Sequence, residues 1–259
     1  MADEPMAGEP MADEPSARDI AAAWRPERPG RRGPKEIADA LVEPDWGGLR
    51  VVAALTVDGA ALLRDGKDVT VPDELPRALV DAFTAVNAVI EGRITTKALQ
   101  SGEGARPAMQ KIERPPILIP RVITRSVKDD PYIKARDYEK RAAAIEPQVL
   151  EALEHGERHA FVATDLLWLD GTPLDDVPLL ERKRLLDGAL EPSFLVRVTP
   201  FVKPSAILTL VTWGQLGFGD LSYRAANSRY TPGAENPDWA VTRPPVGPQG
   251  PSREPISKS

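Results

Sequence analysis

The chain has 259 residues, 42% of them hydrophobic, a formal net charge of -6 and no cysteine. That length suffices for one full domain core with terminal extensions, and the missing cysteines exclude disulfides, thiolate metal sites and a cysteine nucleophile. No apolar run approaches the roughly 18 residues needed to span a bilayer, and the N-terminus lacks the basic and apolar regions of a secretory signal, so a cytoplasmic protein is the expectation.

The chain opens on a repeated unit, MADEP, MAGEP, MADEP, whose acids Asp3, Glu4, Glu9, Asp13 and Glu14 account for most of the net charge. The near-neutral remainder leaves room for a local basic face. Residues 24–35 (WRPERPGRRGPK) read as a basic, Pro/Gly-rich linker, so residues 1–34 are expected to be disordered. Leu49 to Val57 is apolar and β-branched. It is followed by the turn dipeptide Asp58-Gly59, a second strand from Ala60 to Arg64, and another turn dipeptide at Asp65-Gly66, which together spell an antiparallel meander. Pro72 to Ala85 has an acidic first turn and apolar residues at helical spacing, and Ala88 to Ile90 is a short strand.

Residues 103–158 read as an insertion: a Pro-interrupted apolar stretch, then a charged helical run from Ala135 to His155 broken or kinked at Pro147. His155 and His159 stand four apart, but Gly156 between them weakens a helix, so they read as exposed polar residues. A strand from Phe161 to Leu169 ends at Asp170-Gly171. Val177 to Leu190 is an amphipathic helix on leucines 179, 180, 185 and 186. Phe194 to Phe201, a helix from Ser205 to Gln215 and a strand from Leu221 to Arg224 complete an α+β order, and 244–259 reads as a disordered tail.

Five stretches carry a family pattern. Val42-Glu43-Pro44-Asp45-Trp46-Gly47-Gly48-Leu49-Arg50 is similar to Glu-Pro-Lys-Trp-Asp-Gly-x-Arg, and Leu63-Arg64-Asp65-Gly66 to Ser-Arg-x-Gly. Ala163-Thr164-Asp165-Leu166-Leu167-Trp168-Leu169-Asp170-Gly171 is similar to Phe-Asp-Leu-Leu-x-Leu-Asp-Gly, and Pro178-Leu179-Leu180-Glu181-Arg182 to Pro-Leu-x-Glu-Arg. Ser228-Arg229-Tyr230-Thr231-Pro232-Gly233 with Trp239 is similar to Ser-Pro-Tyr-x-Pro-Gly and its downstream tryptophan. In this order the stretches resemble the adenylation domain of ATP-dependent DNA ligases. The resemblance implies a ligase-type nucleotidyltransferase fold over 35–243, with antiparallel sheets flanked by helices, the insertion at 103–158 and a following OB-fold in complete ligases.

In that family a lysine amine attacks the α-phosphate of ATP to form lysyl-AMP. Asp45 stands at the lysine's position, and a carboxylate is a poorer nucleophile that repels the triphosphate. Gly47 replaces the aspartate two residues on, and Ile90-Glu91-Gly92-Arg93 replaces Leu-Asp-Gly-Glu, whose glutamate serves ribose or metal. Gly219-Asp220 and Arg224 replace Glu-Gly…Lys, Arg243 ends the Trp-x-Lys-x-Lys motif, and Thr164 takes the adenine-stacking position.

The resemblance therefore implies ATP as ligand, with Glu43, Arg50, Arg64, Glu91, Arg224 and Arg243 as nucleotide-holding residues. It implies no catalytic residue, no metal ligand and no tightly held Mg²⁺. The expected function is a ligase-like protein inactive in self-adenylation that binds nucleotide or DNA ends in DNA repair, with DNA ends or a repair protein as partner, no membrane, and oligomeric state open. Two alternatives stand beside it: an active nucleotidyltransferase using a displaced lysine, Lys35 or Lys67, and a structural partner protein acting through 103–158.

Overall fold

The computed structural model describes residues 15–100 and 135–245. The MADEP repeat through residue 14, residues 101–134 of the insertion and the tail from 246 lie outside the described residues.

The large sheet grows from the predicted meander. β3 (Leu49–Thr56), β4 (Gly59–Arg64) and β5 (Lys67–Asp68) pair antiparallel, and β6 (Asn87–Thr95), β7 (Ala160–Leu169) and β8 (Thr172–Pro173) extend the sheet on the other side of β3. β9 (Val196–Val198) adds to β7 in parallel. The tight turns follow from their dipeptides: Asp65 and Gly66 have φ of 49° and 77°, and Asp170 and Gly171 of 45° and 85°, the left-handed pair that a two-residue hairpin requires. A smaller antiparallel sheet has the order β12 (Trp239–Thr242), β10 (Leu221–Ala225), β2 (Ala40–Pro44).

Helices cover both sheets. On one face of the large sheet, Val51, Ala53 and Leu55 of β3 meet Leu75, Leu79 and Ala82 of α2 (Glu74–Ala82) and Leu186 of α4 (Leu179–Ala189) in the main core. On the other face, Val52 and Ala54 meet Ala17, Ala21 and Trp24 from α1 (Ala17–Ala23) and the residue after it. The period-2 alternation thus serves two cores. α5 (Ile207–Gln215) backs the small sheet through Leu210 and Trp213.

Four expectations are corrected. Residues 15–34 are folded. Ser16 caps α1 through a reciprocal bond with Asp19, and β1 (Arg28–Pro29) pairs in parallel with β11 (Glu235–Asn236). The basic composition misled because Trp24 and Glu27 supply the apolar area and buried hydrogen bonds that the linker reading denied this segment. Second, α3 (Ala135–Glu154) is not broken at Pro147 but continues through it as one helix, and Val149, Leu150 and Leu153 pack it on the main core. Third, α4 turns Arg182 and Lys183 inward with Leu179 and Leu186, while Leu185 is exposed. Fourth, His159 is buried, with Nδ1 against the Glu157 carbonyl at 2.9 Å.

Candidate functional site

Asp45 sits where the chain leaves the small sheet for the large one. Gly47 and Gly48 take φ of 62° and 74°, and a Cβ on Gly48 would lie 2.2 Å from the Ile94 carbonyl oxygen, so only glycine allows β3 this close to β6. Trp46 pins the bend: its Nε1 donates to Thr199 Oγ1 at 3.0 Å, and its ring lies edge-on to Phe218 at 4.9 Å. Asp45 N donates to the Asp220 carbonyl at 2.9 Å, and Asp45 Oδ1 accepts from Gly47 N at 2.9 Å. The aspartate is thereby fixed at the mouth of the cleft between the sheets.

Behind it the cleft is filled by a continuous charged network. Arg224 Nη2 donates at 2.6 Å to both Glu27 Oε1 and Asp165 Oδ2. Arg182 reaches Asp165 through two bonds of 2.8 and 2.9 Å. Burial pushes the Asp165 carboxyl up, but the Arg182 and Arg224 guanidiniums outweigh it and hold the acid well below the usual carboxylate range. Lys183 Nζ donates to Glu43 and to the Thr164 carbonyl. Arg50 bonds Glu91 Oε1 at 2.6 Å and the Glu27 carbonyl at 2.7 Å, with its guanidinium between the rings of Trp24 and Trp239 at 5.7 and 5.5 Å. Tyr230 donates to Glu91 Oε2 at 2.8 Å and accepts from Trp24 Nε1 at 2.8 Å.

Glu27 closes the network. Its carboxylate is 1% exposed and accepts from Arg224, Thr231 N (3.0 Å), Thr231 Oγ1 (3.3 Å) and Asn236 Nδ2 (2.9 Å). The N-terminal segment thus delivers a buried anion to Arg224.

On the solvent side of Asp45 lies a cavity of about 210 Å³, lined by Asp45, Arg93, Lys97, Tyr138, Arg141 and Asp220 among others. α3 roofs it with Tyr138, Ala142 and Ile145. Arg93 donates to Tyr138 Oη at 2.8 Å, and the Asp45 carboxylate lies close to the same hydroxyl. Burial pushes the Tyr138 hydroxyl well up and the nearby Asp45 carboxylate adds to the rise, so the phenol keeps its proton. Burial also raises the Asp220 carboxyl, partly offset by Arg141 at 2.9 Å and reinforced by the nearby Asp45. Lys97 rests over the Phe218 ring at 5.3 Å.

Of the residues expected to hold a nucleotide, the structure joins Glu43, Arg50, Glu91 and Arg224 in one network. It separates Arg64, which pairs with Glu146 of α3 at 2.5 Å, and leaves Arg243 on the rim near Asp220. Glu43, Glu91 and Arg224 are all buried and spend their charges on internal partners, so a nucleotide would have to break several ion pairs to enter. Lys35 and Lys67 are exposed and line neither the network nor the cavity. Sequence reasoning missed Glu27, Lys183, Lys97, Tyr138 and Arg141. The one signal for them was a pair of cations, Arg182-Lys183, set between leucines at helical spacing.

No family model and no curated protein matches the chain. Among solved structures it is similar to the ligase domain of M. tuberculosis LigD, with a TM-score of 0.51 and 18% identity over 84% of this chain and 58% of that one. It is also similar to a mycobacterial DNA ligase D complexed with ATP and MES, with a TM-score of 0.53 and 17% identity over 86% of this chain and 60% of that one. At these identities the likeness establishes the fold, the α+β adenylation-domain fold with antiparallel sheets and flanking helices. The chain spans less than two thirds of the length of either structure.

Proposed function

We propose that this chain is a ligase-fold binding protein of DNA repair that does not adenylate itself and holds the phosphate of a DNA end against Arg93 and Lys97. One observation supports this reading: the charges of the deep cleft are spent on one another, while Arg93 and Lys97 line the cavity beside Asp45 with no carboxylate in an ion pair with either among the described residues. At about 210 Å³ that cavity falls below the roughly 300 Å³ at which pockets begin to enclose a drug-sized ligand, which suits a phosphate group better than a whole nucleotide. Arg93 stands at the position of the family's ribose- or metal-binding glutamate and Asp45 at that of its lysine, so the charge at each of these two positions is reversed. Adenylyl transfer needs an amine in line with the α-phosphate, and position 45 supplies a carboxylate.

The test compares a duplex bearing a 5′-phosphate with the same duplex bearing a 5′-hydroxyl, by fluorescence anisotropy at two salt concentrations. The phosphorylated end binds about tenfold tighter, the difference shrinks with salt, and Arg93→Ala removes it. Equal affinities overturn the reading. Incubation with radiolabelled ATP and Mg²⁺ or Mn²⁺ yields no denaturation-resistant adduct. Lys97 favours a second reading, because its amine lines the cavity beside Asp45. An adduct present in the unaltered protein and lost in Lys97→Ala would establish self-adenylation through a displaced lysine.

A further inference from the structure

α3 is fastened to the body in two different ways along its length. C-terminal to Pro147 the contacts are apolar, with Val149 and Leu150 against the main core and Leu153 within it. N-terminal to Pro147 they are largely polar. Tyr138 accepts from Arg93, Arg141 pairs with Asp220 at 2.9 Å, Glu146 with Arg64 at 2.5 Å, and Glu139 with Arg28 at 3.8 Å. The ring of Tyr138 also lies edge-on to Trp239 at 6.3 Å. Pro147 has no N–H to give the carbonyl of residue 143, and its ring crowds that carbonyl, so the helix is weakest where the two kinds of fastening meet.

We propose that residues 137–146 form a lid that swings about Pro147 and regulates access to the cavity beside Asp45. A duplex end cannot reach Arg93 and Lys97 while Tyr138, Ala142 and Ile145 roof them. Opening breaks hydrogen bonds and ion pairs that water can replace and uncovers one buried ring, Tyr138 against Trp239 and Val241, whereas moving the C-terminal half would pull Val149, Leu150 and Leu153 from the main core. The lid carries Arg141 away and leaves Arg93 and Lys97 with the body. Arg93 then loses Tyr138 as its partner, and a phosphate oxygen takes that place, so an anion at Arg93 favours the open lid by linkage. The hinge rests on α3 alone, and only the identity of the ligand that opens it rests on the proposed function.

The absence of native cysteine makes a spin-label pair clean. Nitroxides are placed at Ala144→Cys on the lid and Asp58→Cys in the β3–β4 turn, both exposed positions, in the full chain. Electron–electron double resonance gives one distance without ligand, and a second population in the latch variant Tyr138→Ala/Arg141→Ala. Adding Pro147→Ala to the latch variant suppresses that population. The 5′-phosphorylated duplex produces it in the unaltered protein. Arg141→Ala alone serves as a milder latch variant should the double variant unfold, with circular dichroism as the check. A single unchanged distance in a folded latch variant overturns the lid. A second population in the latch variant without any response to the duplex supports the lid and removes the DNA-end reading instead.

Discussion

Replacing Glu27 by alanine tests whether the N-terminal segment belongs to the folded body. The carboxylate is 1% exposed and accepts four hydrogen bonds, from Arg224, Thr231 N, Thr231 Oγ1 and Asn236. Removing one partner of a buried ion pair costs about 3–5 kcal/mol when the other charge is stranded. Arg224 keeps Asp165 at 2.6 Å, which lowers that figure, while each orphaned neutral donor adds about 1–3 kcal/mol. The expected loss is about 3–5 kcal/mol, a third or more of a typical domain's stability. Urea unfolding followed by tryptophan fluorescence measures it, since all five tryptophans are buried and shift together on exposure to water. A loss below about 1 kcal/mol with unchanged m-value would refute the reasoning, because a solvated linker would give that result.

Three further outcomes follow from the same network. Asp165→Asn strands charge on the fully buried Arg182 and lowers stability at pH 7 by about 3 kcal/mol or more, read by urea titration. The folded pKa of Asp165 is depressed, so its stabilisation is complete above the ordinary carboxylate value near pH 4 and is lost as pH falls towards the folded value; the unaltered protein weakens in acid more steeply than the Asn variant. Asp45→Lys restores an amine at the family's position yet gives no labelled adduct with ATP, because Glu27 and Lys183 still occupy the deep cleft and Arg93 opposes the new charge; a strong adduct would show that the cleft admits nucleotide. Gly48→Ala forces a Cβ to within 2.2 Å of the Ile94 carbonyl and puts a non-glycine residue at positive φ, lowering the melting temperature by several degrees in a thermal scan, as expected for roughly 1–3 kcal/mol of strain.

The sequence exposed local geometry well. Asp65-Gly66 and Asp170-Gly171 adopt the positive φ pairs their turns demand, the strand from Leu49 ends one residue short of expectation, and the helix expected over Pro72 to Ala85 forms over Glu74–Ala82. It fell short where polar residues are buried. The strand expected over Ala88 to Ile90 runs on to Thr95 through Glu91 and Arg93, which break an apolar pattern yet are nearly solvent-free, because Arg50 and Tyr138 meet them across the fold. Glu27 was hidden for the same reason: nothing in WRPERPGRRGPK announces that Thr231 and Asn236, some two hundred residues away, will receive its carboxylate.

What the chain determined by itself is the backbone frame and the chemistry absent from position 45, since turns, periodicity and the identity of a side chain are local properties. Which cations remain to meet a ligand was decided by the tertiary structure alone. A guanidinium is locked into the scaffold when carboxylates lie against it in space, as Glu27 and Asp165 do against Arg224, whereas Arg93, equally buried, meets only the Tyr138 hydroxyl among the described residues, at the wall of a cavity.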